Sequence, residues 1–372
     1  MKKWIWIIII IIALVVIFGF WLTNKKQNNT KEEIKIGFIG PLTGSGASWG
    51  IEQKNTLEII KSEINNSGGV NGRLINIIYE DGKCDGKDSA TAAQKLINID
   101  KTKILMTSCS SASLSISPIA ESNNVLLFAI WTTNPGFTNA GNYSFRISYS
   151  DVDTAKTMAK IIGEKYKKLG VLTEMNDYSV GVSNAFKQNY NGEIFEENFS
   201  PDSKDFKTQL TKILSNKPEA ILLNPNQPGA GLEALKELRE LGFKSQIYGN
   251  YFGSDGDVLK SAFAQEMVFF ADPDITNTPL KQSLFDKYIA IYGEKPDFEY
   301  AVAATYDGAY ILKQALTKVE YDSEKLKNYL YTIKDFNGML GTYGFDQNGD
   351  ITGSLPSAKQ IVNGEIIPYK QN

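Results

Sequence analysis

Histidine is absent from all 372 residues. Its absence removes the general base of the common serine triads and the most frequent nitrogen ligand of zinc. Cysteine is almost absent: Cys84 and Cys109 are the only two, and their spacing is far from CxxC. A metal or redox motif is therefore not expected. Such a pair fits one disulfide in an oxidising compartment, or two unrelated buried thiols, and composition leaves both open. Excess positive charge is missing as well, with 39 Lys and Arg against 42 Asp and Glu. Setting aside Lys2, Lys3, Lys25, Lys26, Lys31, Glu32 and Glu33 leaves a body of about −6 from Ile34 onward. Nucleic acid is excluded as a partner, because it needs a basic face.

One long hydrophobic run is present. Residues 4–22 carry no charge and match the ~20 residues a helix needs to span a bilayer. Trp4, Trp6 and Trp21 stand near its ends, where aromatic belts lie. A cleaved signal peptide has a shorter apolar core and small residues at the cut, and Phe20-Trp21-Leu22-Thr23-Asn24 offers no such site. The expectation is an uncleaved signal-anchor helix over 1–23, a polar linker over 24–33, and a body held outside the cytoplasm.

The body alternates short apolar runs with helical patterns. Strands are expected at 34–39, 74–79, 103–107 and 125–129, with helices at 51–65, 89–99 and 112–123 between them. The pattern restarts near 145–147. Strands follow at 168–172, 193–199, 220–224 and 246–249, and helices at 153–166, 179–190, 206–215 and 232–241. Later helices are expected at 280–291, 301–317 and 323–333, and a last strand near 359–362. Alternation of this kind predicts two α/β lobes, each a parallel sheet with helices on both faces. A ligand would bind beyond the carboxyl ends of the strands, in the cleft between them.

Several loops could carry chemistry. Gly44 and Gly46 precede a helix, but Trp49 stands where a dinucleotide fingerprint needs its third glycine, so no nucleotide cofactor is implied. Ser108-Cys109-Ser110-Ser111 joins a strand to a helix, and Thr132-Thr133-Asn134-Pro135 follows the next strand. Hydroxyls and free N–H groups at such tips suit a carboxylate, although Ser110 or Ser111 could simply cap the helix. Without histidine, Ser110 has no triad base, and no S-x-x-K follows, so catalysis is not expected. Trp49 and Trp131 are the only tryptophans past the apolar run, and both follow strand ends, as do Tyr178 and Tyr251. The stretch 346–350 has its glycine at the wrong position for a calcium loop and reads as a polar turn.

Taken together, several stretches resemble the branched-chain amino acid (Leu/Ile/Val) substrate-binding proteins of ABC transporters, of the type I periplasmic binding protein fold. They include Ile36-Gly37-Phe38-Ile39-Gly40-Pro41-Leu42-Thr43-Gly44, Tyr79-Glu80-Asp81-Gly82-Lys83-Cys84-Asp85, Cys109-Ser110-Ser111, Tyr306-Asp307-Gly308-Ala309 and Phe345-Asp346-Gln347-Asn348-Gly349-Asp350. The resemblance implies two lobes joined by three crossovers, lobe one at 34–148 and 273–340 and lobe two at 149–272 and 341–372. It implies a Cys84–Cys109 disulfide, and a ligand carboxylate held by Ser110, Ser111 and Thr133. The backbone at Trp131 would meet an amino group, Trp49 and Tyr178 would supply aromatic walls, and Gln227 matches a position commonly aromatic. One departure stands out: the family glutamate that neutralises the ammonium is matched by Tyr251, and Trp131 replaces a normally small residue. The implied protein is a monomeric, non-enzymatic binder of an amino-acid-like solute, serving an ABC permease. A ligand-sensing ectodomain without transport is the alternative.

Overall fold

The computed structural model of the chain describes Trp4 and residues 32–44, 46–273, 275, 277–353 and 356–370. The anchor expected over 1–23 and most of the linker over 24–33 lie outside the described residues, Trp4 apart. Among the described residues no helix is long and apolar enough to cross a membrane.

The first lobe starts with strand β1 (Ile34–Gly40), helix α1 (Ala47–Asn66), β2 (Ile75–Asp81) and α2 (Gly86–Asn98). It continues through β3 (Ile104–Ser108), α3 (Ser110–Ser122), β4 (Leu126–Trp131) and the short β5 (Ser144–Arg146). All pairings are parallel, in the order β2-β1-β3-β4-β5. Both faces are covered, so successive strand residues are apolar on alternate sides. Ile36, Phe38, Met106 and Phe128 face one core, while Ile39, Leu105 and Leu127 face the other.

The chain then crosses to the second lobe. There it forms α4 (Asp151–Lys165), β6 (Lys168–Glu174), α5 (Asp177–Asn189), β7 (Glu193–Phe199), α6 (Lys207–Ser215) and β8 (Ala220–Asn224). Next come α7 (Pro228–Glu240), β9 (Ile247–Gly249), α8 (Gly256–Lys260) and β10 (Val268–Ala271). A second crossing returns it to the first lobe with α9 (Pro279–Tyr292), α10 (Glu299–Lys318), α11 (Ser323–Leu330) and a hairpin of β11 (Phe336–Gly338) and β12 (Gly341–Tyr343). A third crossing adds β13 (Ser357–Val362) and β14 (Glu365–Pro368), antiparallel, to the second sheet, whose order is β14-β13-β10-β9-β8-β6-β7.

The last boundary differs from the expected one. Residues 341–351 belong with the first lobe, because Tyr343 and Phe345 are buried in its core and Ile351 packs against it. Buried Asp307 fixes the hairpin there, accepting from Met339 N at 2.8 Å, Leu340 N at 3.0 Å and Tyr343 Oη at 3.0 Å. The 346–350 stretch is a polar turn in which Asp346 Oδ1 accepts from Asn348 N at 2.8 Å and Asp350 N at 3.0 Å. Its Asp350 meets Arg146, whose guanidinium is fully buried. Nε lies 2.9 Å from Asp350 Oδ1 and Nη2 2.6 Å from Oδ2, with Nη1 donating to Asn134 O at 2.9 Å.

Breaking a buried ion pair strands the remaining charge, which costs about 3–5 kcal/mol. Asp350→Ala is therefore expected to destabilise the protein by that order in denaturant unfolding. Lys325→Ala, which removes an exposed pair with Glu320, should lose less than about 1 kcal/mol.

Candidate functional site

Both parallel sheets reverse their winding once: the first between β1 and β3, the second between β6 and β8. At such a switch point the loops after two neighbouring strands part, leaving a crevice at the strand ends. The two crevices meet. From the first come Trp49, at the start of α1, and Ser110, at the start of α3; from the second come Tyr178, in α5, and Asn226, after β8. Trp131, Thr133, Tyr149 and Tyr251 complete the walls. The space left between them is about 30 Å³, on the order of one water.

The lobes touch here through rings. Trp131 of lobe one lies 5.1 Å, centroid to centroid, from Tyr251 of lobe two, and Trp49 lies 6.2 Å from the same ring. Tyr178 stands 5.4 Å from Tyr251, and Trp49 6.1 Å from Trp131. All four contacts are edge-to-face, the arrangement ring quadrupoles favour. Trp49 is held in place by a close approach: a Cβ at Gly50 would stand 1.9 Å from Pro41 O, so only glycine lets α1 start against this loop.

The polar groups sit on the first lobe. Helix α3 has no side-chain cap, leaving its first N–H groups for a ligand. Ser110 Oγ accepts from Asn134 N at 3.2 Å and keeps its own proton to donate. Cys109, which precedes the helix at φ 75°, is bonded to Cys84 with Cα atoms 5.5 Å apart. This disulfide ties the loop after β2 to the tip of β3.

Not every expected residue reaches the pocket. Ser110, Thr133, Trp131, Trp49, Tyr178 and Tyr251 line it. Ser111 and Gln227 instead line a wider groove beside it, together with Cys84, Glu174 and Asp177. Ser111 lies one step around α3 from Ser110, and Asn226 takes the inward place beside Gln227. The Trp131 carbonyl, expected to meet an amino group, already accepts from Cys109 N at 3.1 Å. The Tyr251 hydroxyl donates to Asn226 O.

Two carboxylates behind the rings were not anticipated. Asp272 Oδ1 accepts from Trp131 Nε1 at 3.0 Å and from Tyr149 Oη at 2.8 Å. Asp151, almost fully buried, has only the Thr133 hydroxyl beside it, and no close hydrogen bond reaches either oxygen. Burial pushes Asp151 up to about 7; the Thr133 hydroxyl and Arg146 oppose this only partly, and Asp272 adds to it. Burial likewise raises Asp272 to about 6 against its two donors. Tyr149, Asp151 and Asp272 all follow strand tips. The tips that lead to them, β5 and β10, are three and four residues long and give little periodicity. Among the described residues no group of His, Cys, Asp and Glu could hold a metal ion.

Two α/β lobes whose strand tips face one another across a ring-lined seam define a clamp-type binding protein. Residues 33–358 match the family model described as periplasmic binding protein, and the chain belongs to that family. It is similar to a Leu/Ile/Val-binding protein of Rhizobium johnstonii, 25% identical over 346 residues, 90% of this chain and 93% of the relative. Among solved structures, a leucine binding protein from Thermotoga maritima superposes with a TM-score of 0.82 at 24% identity, covering 91% of this chain and 98% of that one. A solute binding protein of an ABC transporter from Rhodopseudomonas palustris, in complex with 3,4-dihydroxy benzoic acid, gives 0.76 at 22%, covering 90% and 95%.

A carboxyl whose pKa is raised in the folded chain binds its proton more tightly there than when unfolded. Its stabilising share is full below about pH 4, near the free value of 3.8, and is lost as pH rises through about 6 for Asp272 and 7 for Asp151. Glu52 and Asp307, raised by burial to about 7 and about 6, act in the same direction. The unfolding midpoint without solute should therefore fall between about pH 4 and 7, and Asp151→Asn should flatten that fall. A variant slope equal to the wild-type slope would show that Asp151 does not titrate in this window.

Proposed function

We propose that this chain captures a small amino-acid-like carboxylate outside the cytoplasm and delivers it to an ABC permease, closing its two lobes on the solute. The relatives named Leu/Ile/Val-binding and leucine binding protein support the amino-acid class and the transport setting. The observation that carries the reading is the seam itself. Trp131 and Tyr251 approach to 5.1 Å from opposite lobes and line the same pocket as Ser110, at the uncapped start of α3. Closure is favoured only by a solute that binds the shut form better than the open one. One placed between these rings touches both lobes and meets that condition.

The ligand carboxylate would lie against Ser110 Oγ, the Thr133 hydroxyl and the first N–H groups of α3, where the helix dipole favours negative charge. Ser111 and Gln227 would shape the mouth of the cleft. The Cys84–Cys109 bond suits an oxidising compartment. The apolar segment 4–22 would tether the clamp to the membrane facing its permease.

Two tryptophans in the pocket make intrinsic fluorescence the direct readout. Titrating the full-length chain, purified in mild detergent, with amino acids and small carboxylates should give at least one saturable change matched by a rise in melting temperature. Flat fluorescence and unchanged melting across the whole panel would sink the reading. Ser110→Ala and Thr133→Ala should each weaken the bound solute by about 1.5–3 kcal/mol, the range for a hydrogen bond to a charged group. Unaltered affinity in the double variant would move the carboxylate site elsewhere.

A further inference from the structure

The pocket between the lobes has a definite charge. Among the described residues that line it there is no lysine or arginine. Arg146, the cation that eases Asp151, is committed to Asp350 and Asn134 O. Asp272 stands behind the rings of Trp131 and Tyr149, and Asp151 stands behind Thr133, whose hydroxyl is the one donor beside it. Two carboxylates in a site of low polarity set up a field that favours a cation.

The kind of cation follows from the acceptors. A primary ammonium brings three N–H donors, and each needs an acceptor once water is gone. The backbone carbonyls nearest the pocket each already accept one donor. Trp131 O receives Cys109 N at 3.1 Å, Thr132 O receives Ser148 Oγ at 2.8 Å, and Thr133 O receives Asp151 N at 2.8 Å. Asp272 Oδ1 holds two donors. What the walls chiefly offer is aromatic surface from both lobes: Trp49, Trp131 and Tyr251 lie 5.1–6.2 Å apart, and Tyr178 lies 5.4 Å from Tyr251. An alkylated ammonium brings no N–H donor, and aromatic faces attract it through their quadrupoles.

We propose that the pocket selects a compact zwitterion whose positive end is a fully alkylated ammonium, lodged among Trp49, Trp131, Tyr178 and Tyr251, with its carboxylate at Ser110 and Thr133. This rests on the reading that the chain is a solute-binding clamp, and it names the solute class. The same features explain Tyr251: a glutamate there would suit a primary ammonium, whereas a ring suits an alkylated one. A carboxylate lacking any positive group would meet Asp151 and Asp272 uncompensated.

The test compares two solutes of one shape. N,N,N-trimethylglycine and 3,3-dimethylbutanoate differ only in nitrogen against carbon at the branched centre. Calorimetric titration of the wild-type full-length chain at about pH 8 should show the nitrogen compound binding at least about tenfold tighter than its carbon analogue and than L-leucine. Asp272→Asn keeps an oxygen for Trp131 and Tyr149 but removes the charge. It should weaken trimethylglycine about tenfold and strengthen the dimethylbutanoate anion. If the carbon analogue binds as well as the nitrogen compound, or leucine binds and trimethylglycine does not, this inference falls and the binding function stands. If no compound of this set or of the wider amino-acid and carboxylate panel binds, both fall.

Discussion

A carboxylate removed from water must be met by donors, by a cation or by a proton, and the seam between the two lobes is organised by that requirement. Asp272 is met by donors. The indole of Trp131 and the phenol of Tyr149 both point at one of its oxygens, at 3.0 and 2.8 Å. Those bonds orient the Trp131 ring, and that ring is what Tyr251 and Trp49 pack against. Asp151 has no comparable donors, and its nearest cation, Arg146, is held by Asp350. A proton or an arriving cation is what remains to it.

The position of these groups in the fold couples the site to lobe movement. Tyr149 lies on the first crossing between the lobes, just past β5, and Asp272 on the second, just past β10. Their hydrogen bond therefore joins two of the three segments about which the lobes must turn. The third crossing is tied in from the other side, because Asp350, just before it, grips Arg146 at the end of β5. Any change in charge at Asp272 or Asp151 acts directly on the strands that set the angle between lobes. Hinge closure needs differential contacts of this kind, and here the same residues would supply both contact and pivot.

The fold was legible in the sequence wherever elements are long and periodic. Residues 168–172, 193–199 and 220–224 read as strands because Leu, Val, Ile and Phe runs are separated by amphipathic helices. The family resemblance along the body implied the two lobes and their three crossovers. Short elements were harder: β10 and β11 have four and three residues, too few for a period to register. The expected lobe boundary after residue 340 fell short for a related reason. Tyr343 and Phe345 look like a new start in sequence, yet Asp307 and the first core hold them. The rings and hydroxyls that line the pocket stood out in sequence because they follow clear strand tips. Asp151 and Asp272 were not, because a lone aspartate after a weak strand resembles any solvated turn, and only burial gives it meaning.

The same scaffold carries solutes of different charge in its relatives, a leucine binding protein in one and a bound dihydroxybenzoic acid in another. The fold alone therefore cannot decide what sits between the lobes. What varies is the electrostatic backing of the pocket, and backing is a property of side chains one layer behind the walls. A ring such as Tyr251 or Trp131 attracts a cation only modestly by itself. With a buried carboxylate behind it, the same ring presents its negative face in a field that already favours cations, and the two effects add. Replacing an acidic wall by an aromatic wall with acids behind it keeps the preference for positive charge while removing the hydrogen-bond acceptors. That exchange changes which cations can be desolvated without loss, so specificity here follows from where the negative charge is kept, not from whether it is present.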